Sequence, residues 1–217
     1  MNNVEIMYNR SGDIGDFSKS YFDFLYQLLN SLDLRAIEEV SAELEKARIN
    51  RNTIFVVGNG GSAVTATHMA NDFGTDILKK SGTDIPFCFH ALTDNTAVML
   101  AVANDDGYEK IFVKQLSIHY RPGDKLLAIS ASGNSPNAVN AAEWVKDKGG
   151  IVMSFVGFDG GKLKKISDIV VHVKSNSGEY GPVEDIHMIL NHLLANWLQY
   201  KVSAEMQAKK CTKVKVG

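Results

Sequence analysis

A short apolar run that ends in a glycine-rich turn and continues as a helical pattern constrains the fold of this chain more than any other stretch. Ile54–Val57 are rich in β-branched residues and predict a buried parallel strand. Gly58–Gly61 follow at once, and Ser62 is the predicted N-cap of the next helix. Backbone N–H groups in such a turn can approach an anion closely, and the helix dipole favours negative charge. The glycine spacing matches neither the dinucleotide fingerprint nor the lysine-containing nucleotide loop. The turn therefore predicts a phosphate-type ligand other than a dinucleotide or ATP.

Strand-like and helical patterns alternate through the rest of the chain. Further strands are predicted at residues 85–92, 126–130, 151–156 and 169–173. Strands that alternate with helices in units of about 30 residues predict an α/β fold, a doubly wound parallel sheet with helices on both faces. Ligands of such sheets bind beyond the carboxyl ends of the strands, near the point where the strand order reverses. The turn at 58–62 and a Ser/Gly-rich loop at 130–135 both follow predicted strands, which makes them candidates for one site.

Two amphipathic helices are predicted ahead of the first strand, at 16–32 and 34–49. This helical hairpin has more apolar surface than one small sheet needs, which favours an oligomer held by helices. The alternative, which has equal weight, is that the hairpin covers the chain's own sheet. We expect a single domain over residues 1–217, with an irregular lead-in (1–14), the hairpin (15–50), an α/β core (51–201) and a fraying polar tail (202–217).

The composition is that of an ordinary globular chain. Its 217 residues, 45% of them hydrophobic, suffice for one sizeable core. The net charge of -2 argues against a nucleic-acid or anionic-membrane surface. No apolar run reaches the ~20 residues that span a bilayer, and no secretory signal opens the chain. Cys88 and Cys211 have neither metal-site nor redox spacing, so we expect a soluble cytoplasmic protein.

The loop at 130–135 places four short polar side chains around one glycine, just before a helix. Such side chains, together with a helix N-terminus, can hold a phosphate by neutral hydrogen bonds. A capped turn without a ligand is the alternative, because Ser and Asn are common in turns. We favour phosphate because the loop follows a buried strand of the predicted sheet. The four residues are Ser130, Ser132, Asn134 and Ser135.

Histidines and carboxylates recur in two helical stretches. His68 and Asp72 stand four apart on one helix face and could be metal ligands, an acid/base pair or a satisfied polar patch. In the last helix, Glu184 and His192 are eight apart, about 80° round the axis and roughly 12 Å along it. Two histidines and two carboxylates suit a tetrahedral zinc site. The sequence supplies the ligand types and leaves their convergence open.

At these residues the chain resembles the sugar isomerase (SIS) domain superfamily, and within it the phosphoheptose isomerases. The resemblance covers about residues 15–200 and includes GNGGS at 58–62, AND at 103–105, SASGNS at 130–135 and EDIHMILNH at 184–192. It implies a flavodoxin-like or Rossmann-like sandwich. It also implies conversion of sedoheptulose 7-phosphate to D-glycero-D-manno-heptose 7-phosphate for surface polysaccharides. The family's assembly implies a homotetramer built on an N-terminal helical bundle, with sites at subunit interfaces.

The resemblance further implies roles for single residues. Zinc ligands fall on His68, Asp72, Glu184 and His192. Asp72 replaces a Glu and is one methylene shorter, Glu184 replaces a Gln and adds negative charge, and Gly181 stands where relatives have an Asp. The additional carboxylate of Glu184 should strengthen the binding of a divalent cation, whereas the shorter side chain of Asp72 has less reach as a base. Substrate binding falls on Asn59, Gly60, Ser62, Asp94, Asn104, Ser130, Ser132, Asn134 and Ser135.

The expected chemistry is aldose–ketose isomerisation through an enediol. Asp72 or Glu184 is the predicted base, His192 its partner, and zinc would polarise the carbonyl. His187 is expected to pack or to support a ligand. Two alternatives remain open: a non-catalytic SIS module that binds a sugar phosphate or a replication-initiator protein, and an isomerase or epimerase of another sugar phosphate. The presence of His68, Glu184 and His192 favours an enzyme.

Overall fold

The computed structural model describes the backbone of residues 1–214 and the side chains of residues 1–209 and 211. The helices are α1 (Asn3–Arg10), α2 (Ile14–Asn30), α3 (Leu34–Ile49), α4 (Gly61–Met69), α5 (Ile77–Ser81), α6 (Thr96–Asp105), α7 (Ile111–His119), α8 (Pro136–Asp147), α9 (Leu163–Ile166) and α10 (Tyr180–Val214). A π-helical segment (Ala70–Asp76) joins α4 to α5, and a 3₁₀ turn (Tyr108–Lys110) precedes α7. The strands are β1 (Thr53–Val57), β2 (Cys88–Ala91), β3 (Lys125–Ser130), β4 (Ile151–Val156) and β5 (Ile169–His172).

The five strands form one parallel sheet in the order β2-β1-β3-β4-β5. The predicted doubly wound α/β fold is therefore confirmed, with the flavodoxin-like strand order. The order reverses at β1, whose Val57 pairs with Ala128 of β3. The carboxyl ends of β1 and β3 are consequently neighbours at the switch point, where such sheets bind ligands.

Side chains that alternate along each strand separate two hydrophobic layers. Ile54 and Val56 of β1 face a core that also contains residues of α3, α4 and α10. Phe55 and Val57 face the opposite core, which contains residues of α7 and α8. Each of these four side chains is at most 1% exposed, and burial of each contributes roughly 1.5–3 kcal/mol. Burial on both faces thus holds β1 in the sheet and positions the glycine-rich turn that follows it.

The N-cap of α4 and the extent of β2 differ from the prediction. Ser62 is not the N-cap of α4, because the helix begins at Gly61 and Gly60 holds the cap position. Gly60 has φ 53° and ψ -124°, a conformation that only glycine adopts readily. The side chain of Ser62 is instead buried. Strand β2 is shorter than the predicted 85–92, since Pro86 cannot donate to the ladder.

The lead-in at 1–14 is not irregular. Residues 3–10 form α1, and Asn2 and Glu5 exchange the two hydrogen bonds of a capping box. The pattern Asn-x-x-Glu was the sequence signal for this helix start. The backbone N–H of Asn3 also donates to the buried carboxylate of Glu179 at 2.6 Å, which docks α1 on the loop before α10.

The tail predicted to fray from residue 202 continues α10 through Val214, while residues 215–217 lie outside the described part. Leu198 and Val202 remain buried against the core. Arg48 of α3 pairs with Glu205 at 2.8 Å, and Lys201 pairs with Glu45. These contacts extend the last helix beyond the sequence prediction. Within residues 1–214 no helix is both long and apolar enough to cross a membrane.

Candidate active site

The two glycine-containing turns at the switch point enclose a small polar cavity. Its volume is ≈ 120 Å³, below the ≈ 300 Å³ at the lower end of small-molecule pockets, so it suits one end of a ligand. Ser130 Oγ lies 3.3 Å from Ser135 Oγ across the second turn, and it accepts a hydrogen bond from the Gly133 N–H. We name this cavity the serine cavity. Its lining residues are Asn59, Ser62, Ile129, Ser130, Ala131, Ser132, Ser135, Tyr180 and Glu184.

Asn59 fixes the first turn against the rest of the site. Its amide exchanges two hydrogen bonds with the buried Asn137 of α8, at 2.8 and 2.9 Å. The hydroxyl of Tyr108 donates to Asn59 Oδ1 at 2.9 Å. Neither Asn137 nor Tyr108 was identified from the sequence. The amide pair locks the end of β1 to the start of α8, so both turns keep a fixed relative position.

Three of the proposed substrate-binding residues have other partners. Asn134 Oδ1 accepts from the Lys162 N–H at 3.0 Å, and its amide donates to the Ser132 carbonyl. Asp94 accepts from the Thr67 hydroxyl at 2.6 Å. Asn104 donates to its neighbour Asp105 at 2.7 Å. None of the three is among the lining residues of the serine cavity. Their roles in substrate binding stay predictions.

Glu184 lies at the start of α10 and faces the first turn. A Cβ added at Gly61 would overlap the Glu184 carboxylate, so a glycine at that position makes room for this side chain. Burial, and then the negative charge of Asp185, raise the pKa of Glu184 above its ordinary value. Glu184 therefore accepts a proton more readily than an exposed glutamate does.

Three other predicted side chains converge about two helical turns further along. His68 Nε2 lies 3.3 Å from Asp72 Oδ2 and 3.4 Å from His192 Nε2. The distance from His192 Nε2 to Asp72 Oδ2 is 3.9 Å. Two imidazole nitrogens and a carboxylate oxygen that point at one another are stabilised by a proton or a cation between them. We call His68, Asp72 and His192 the histidine cluster.

The spacing of the histidine cluster fits a metal ion. Bonds of about 2.0–2.1 Å in a tetrahedral zinc site put neighbouring ligand atoms about 3.4 Å apart. The measured separations of 3.3, 3.4 and 3.9 Å are close to that value. His68, Asp72 and His192 could therefore hold a metal ion within a single chain. Glu184, the fourth predicted ligand, is not in this group and lines the serine cavity.

Two further positions of α10 that the sequence singled out, His187 and Gly181, are explained by packing. His187 is fully buried beside Phe155, and burial lowers the pKa of its imidazole to about 4. It is neutral at physiological pH, which agrees with its expected packing role. Gly181 faces the Tyr21 hydroxyl, to which an added Cβ would come within 3.3 Å. That hydroxyl donates to Asp185 Oδ2 at 2.6 Å, so the hydrogen bond occupies the space beside Gly181.

The sequence profile of the SIS domain matches residues 20–157. The chain belongs to the SIS domain family. This SIS domain is 35% identical over 164 residues to the phosphoheptose isomerase of Rhodospirillum rubrum, which covers 76% of this chain and 85% of that protein. It is 36% identical over 162 residues to the phosphoheptose isomerase of Aneurinibacillus thermoaerophilus, covering 74% of this chain and 79% of that protein.

A solved phosphoheptose isomerase from Francisella tularensis superimposes with a TM-score of 0.72 at 28% identity. The alignment covers 85% of this chain and 97% of that one. Within the SIS domain family the chain therefore groups with the phosphoheptose isomerases, as its motifs predicted.

Proposed function

We propose that this SIS domain is an aldose–ketose isomerase that converts sedoheptulose 7-phosphate to D-glycero-D-manno-heptose 7-phosphate, which supplies heptose for surface polysaccharides. The relatives named phosphoheptose isomerase support the activity. The observation that carries the proposal is the placement of a polar cavity and the histidine cluster on the same pair of helices. Glu184 faces Gly61 near the start of α10 and α4, and His192 faces His68 further along both.

The separation of the two sites matches the length of the substrate. Eight residues separate Glu184 from His192, which corresponds to about 12 Å along a helix. A heptulose 7-phosphate has its phosphate and its reacting carbons at opposite ends. The eight bonds between them, each about 1.5 Å in a zigzag chain, span about 10 Å. The serine cavity therefore suits the phosphate, and the histidine cluster suits the carbonyl end.

The serine cavity binds the phosphate through neutral donors. The hydroxyls of Ser130, Ser132 and Ser135 line it, and α8 begins directly after them. The N-terminus of this helix favours an anion because its first N–H groups point outward and its dipole is positive there. Ser62 and the start of α4 complete the opposite wall.

Asp72 is the proposed base. Its Oδ2 faces both histidines, so its Oδ1 is the atom that takes a proton from carbon 1 of the ketose. The electrons of that C–H bond form the C1=C2 double bond, and those of the C2 carbonyl move to its oxygen. The hydroxyl proton of the oxygen on carbon 1 moves to the oxygen on carbon 2. Asp72 then returns the abstracted proton to carbon 2, the C1=C2 double bond supplies the electrons of the new C–H bond, and carbon 1 becomes the carbonyl of the aldose.

We assign zinc to His68 Nε2, Asp72 Oδ2 and His192 Nε2. Zinc bound there would polarise the substrate carbonyl and stabilise the enediolate. Because the Nε2 atom of His192 cannot hold an ion and a proton at once, His192 belongs to the ligand set and not to proton transfer. We no longer assign Glu184 as a zinc ligand or as the base, because it lines the serine cavity.

The activity is tested with purified protein and sedoheptulose 7-phosphate, with and without a chelator. We expect turnover that the chelator removes and added zinc restores. Asp72→Asn should lower kcat by about 10²–10⁴-fold. Asp76→Asn is the matched control, because Asp76 lies in the same π-helical segment and pairs with Lys80 at 3.2 Å. Binding of the heptulose phosphate without turnover by the wild type would instead identify a non-catalytic module.

We further propose that the protein acts as a homotetramer in the cytoplasm. Exposed apolar side chains on α2 and α10 support an assembly through helices. Both cysteines, Cys88 and Cys211, are free thiols, which suits a reducing compartment.

A further inference from the structure

Asn191 is a buried polar residue beside the histidine cluster that the reaction described above does not use. It lies on α10 and is 0% exposed. Its Nδ2 donates to Asp72 Oδ2 at 2.9 Å, across 119 residues of sequence. Its Oδ1 is buried and has no hydrogen-bond partner among the described residues. An amide in this position makes a contact with the cluster and leaves one acceptor unpaired.

The unpaired oxygen has an energetic consequence. A buried polar atom without a partner costs about 1–3 kcal/mol, and native proteins keep few of them. The opposite orientation of the amide would direct Oδ1 at the carboxylate, where two acceptors repel. Packing alone would be better served by leucine, which has a similar branched shape and no polar atom. The hydrogen bond to Asp72 is therefore the feature that explains asparagine at this position.

The same hydrogen bond gives the two carboxylate oxygens of Asp72 different surroundings. Oδ2 is held by Asn191 on the side where His68 and His192 lie, at 3.3 and 3.9 Å. Oδ1 lies on the other side and accepts a longer bond of 3.3 Å from the exposed Asn71. A carboxylate that can rotate would exchange these roles. Hydrogen bonds to a ligating carboxylate fix its orientation and strengthen metal binding.

We propose that Asn191 is a positioning residue that holds Asp72 Oδ2 in the ligand set of the histidine cluster. The inference rests on the metal site of the proposed function. Asp72 lies in a π-helical segment, a kind of insertion that is frequent at functional sites. The asparagine anchors this segment to α10 at the point where the ligand oxygen is needed.

The test compares zinc affinity and metal-free stability in wild type, Asn191→Leu and a control. Zinc affinity is measured on metal-free full-length protein by competition with a chromophoric chelator. We expect Asn191→Leu to weaken zinc binding by about 10–100-fold. We expect the melting temperature of the metal-free protein to stay equal or to rise, because the unpaired Oδ1 is removed. Asn196→Ala, which removes an exposed amide bonded to the His192 carbonyl at 2.8 Å, should bind zinc like the wild type.

Asn191→Ala repeats the measurement with a smaller side chain if the leucine variant does not fold. Unchanged zinc affinity in a folded Asn191 variant overturns the inference while the metal site stands. A lowered melting temperature with unchanged zinc affinity overturns it as well and shows a packing role. A wild-type protein that binds no zinc overturns the metal assignment of the proposed function and this inference with it.

Discussion

At the residue scale, a single glycine determines where a carboxylate can lie. Gly61 opens α4, and a Cβ there would overlap the Glu184 carboxylate. Alanine suits a helix better than glycine by roughly 0.5–1 kcal/mol, so the fold should tolerate the change. The obstacle is the end of a flexible side chain, which can move into the serine cavity. In the sequence Gly61 is part of a glycine-rich turn, whereas in the structure its lack of a side chain makes room for Glu184.

We predict that Gly61→Ala raises the KM for the sugar phosphate about tenfold, or about 1.4 kcal/mol, while the melting temperature changes little. The displaced carboxylate would occupy the part of the serine cavity that we propose binds the phosphate. Steady-state kinetics and a thermal melt measure the two effects. Gly12→Ala is the control, because a Cβ there makes ordinary contact with Asp16 at 3.5 Å. Equal KM values for the two variants would contradict the prediction.

Glu184 should also make substrate binding depend on pH. Burial and the charge of Asp185 raise its pKa, so Glu184 is neutral below that value and negative above it. A negative carboxylate in the serine cavity would repel the phosphate that we propose binds there, so the wild-type KM should rise as the pH increases through this pKa. Glu184→Gln should have a lower KM than the wild type at pH 8 and a similar one at acid pH. A ratio of the two KM values that is independent of pH would exclude this role.

His187 links stability to pH. Its folded pKa is about 4, against 6.5 for an unburied histidine, so the unfolded chain takes up the proton first. The contribution of the neutral imidazole is therefore complete above pH 6.5 and is lost as the pH falls toward 4. The gap corresponds to about 3 kcal/mol. Urea unfolding at pH 7 and pH 4.5 should show a smaller loss for His187→Leu than for the wild type. Equal losses would show that another group controls acid unfolding.

At the element scale, α1 is tied to the wall of the serine cavity. Glu179 is 0% exposed and accepts backbone N–H bonds from Asn3 at 2.6 Å and Asn176 at 2.8 Å. Tyr180, the next residue, lines the cavity and packs edge-on against Phe158. The position of the first helix thereby influences the start of α10, where Tyr180 lies.

Asn3→Pro tests this connection cleanly, because proline is accepted at the first position of a helix and removes only the N–H. Loss of a hydrogen bond to a buried carboxylate should cost about 1.5–3 kcal/mol. We expect a lower melting temperature and a KM raised a few-fold. Asn3→Ala keeps the N–H and should behave like the wild type. Identical behaviour of the proline and alanine variants would rule out the connection.

At the scale of the whole molecule, the outer face of α10 carries an apolar stripe. Ile189, Leu193, Trp197 and Tyr200 recur at helical spacing, and Trp197 is 61% exposed. Such a stripe indicates a contact with another helix surface. Trp197→Asp should convert the proposed tetramer to smaller species in light scattering after gel filtration. Asn196→Asp, a polar change on the same helix, should leave the mass unchanged, and a monomeric wild type would refute the tetramer.

The sequence by itself determined the fold and supplied the residue types of the candidate metal site. Strand β4 matches its predicted bounds, because a short apolar run between turns is a local signal. The convergence of both Ser/Gly turns followed from the switch-point rule, and the identity of the SIS domain followed from its motifs. These properties depend on residues close together in the chain.

Only the tertiary structure decided which groups share a site. Spacing within α10 left open whether Glu184 and His192 meet one centre, and packing on α4 places Glu184 beside Gly61 and His192 beside His68. The bond from Asn191 to Asp72 joins residues 119 positions apart, and Glu179 binds an N–H that lies 176 positions away. Such contacts depend on the angle and offset at which helices pack on the sheet. Those quantities arise from the whole core, so no local pattern of residues contains them.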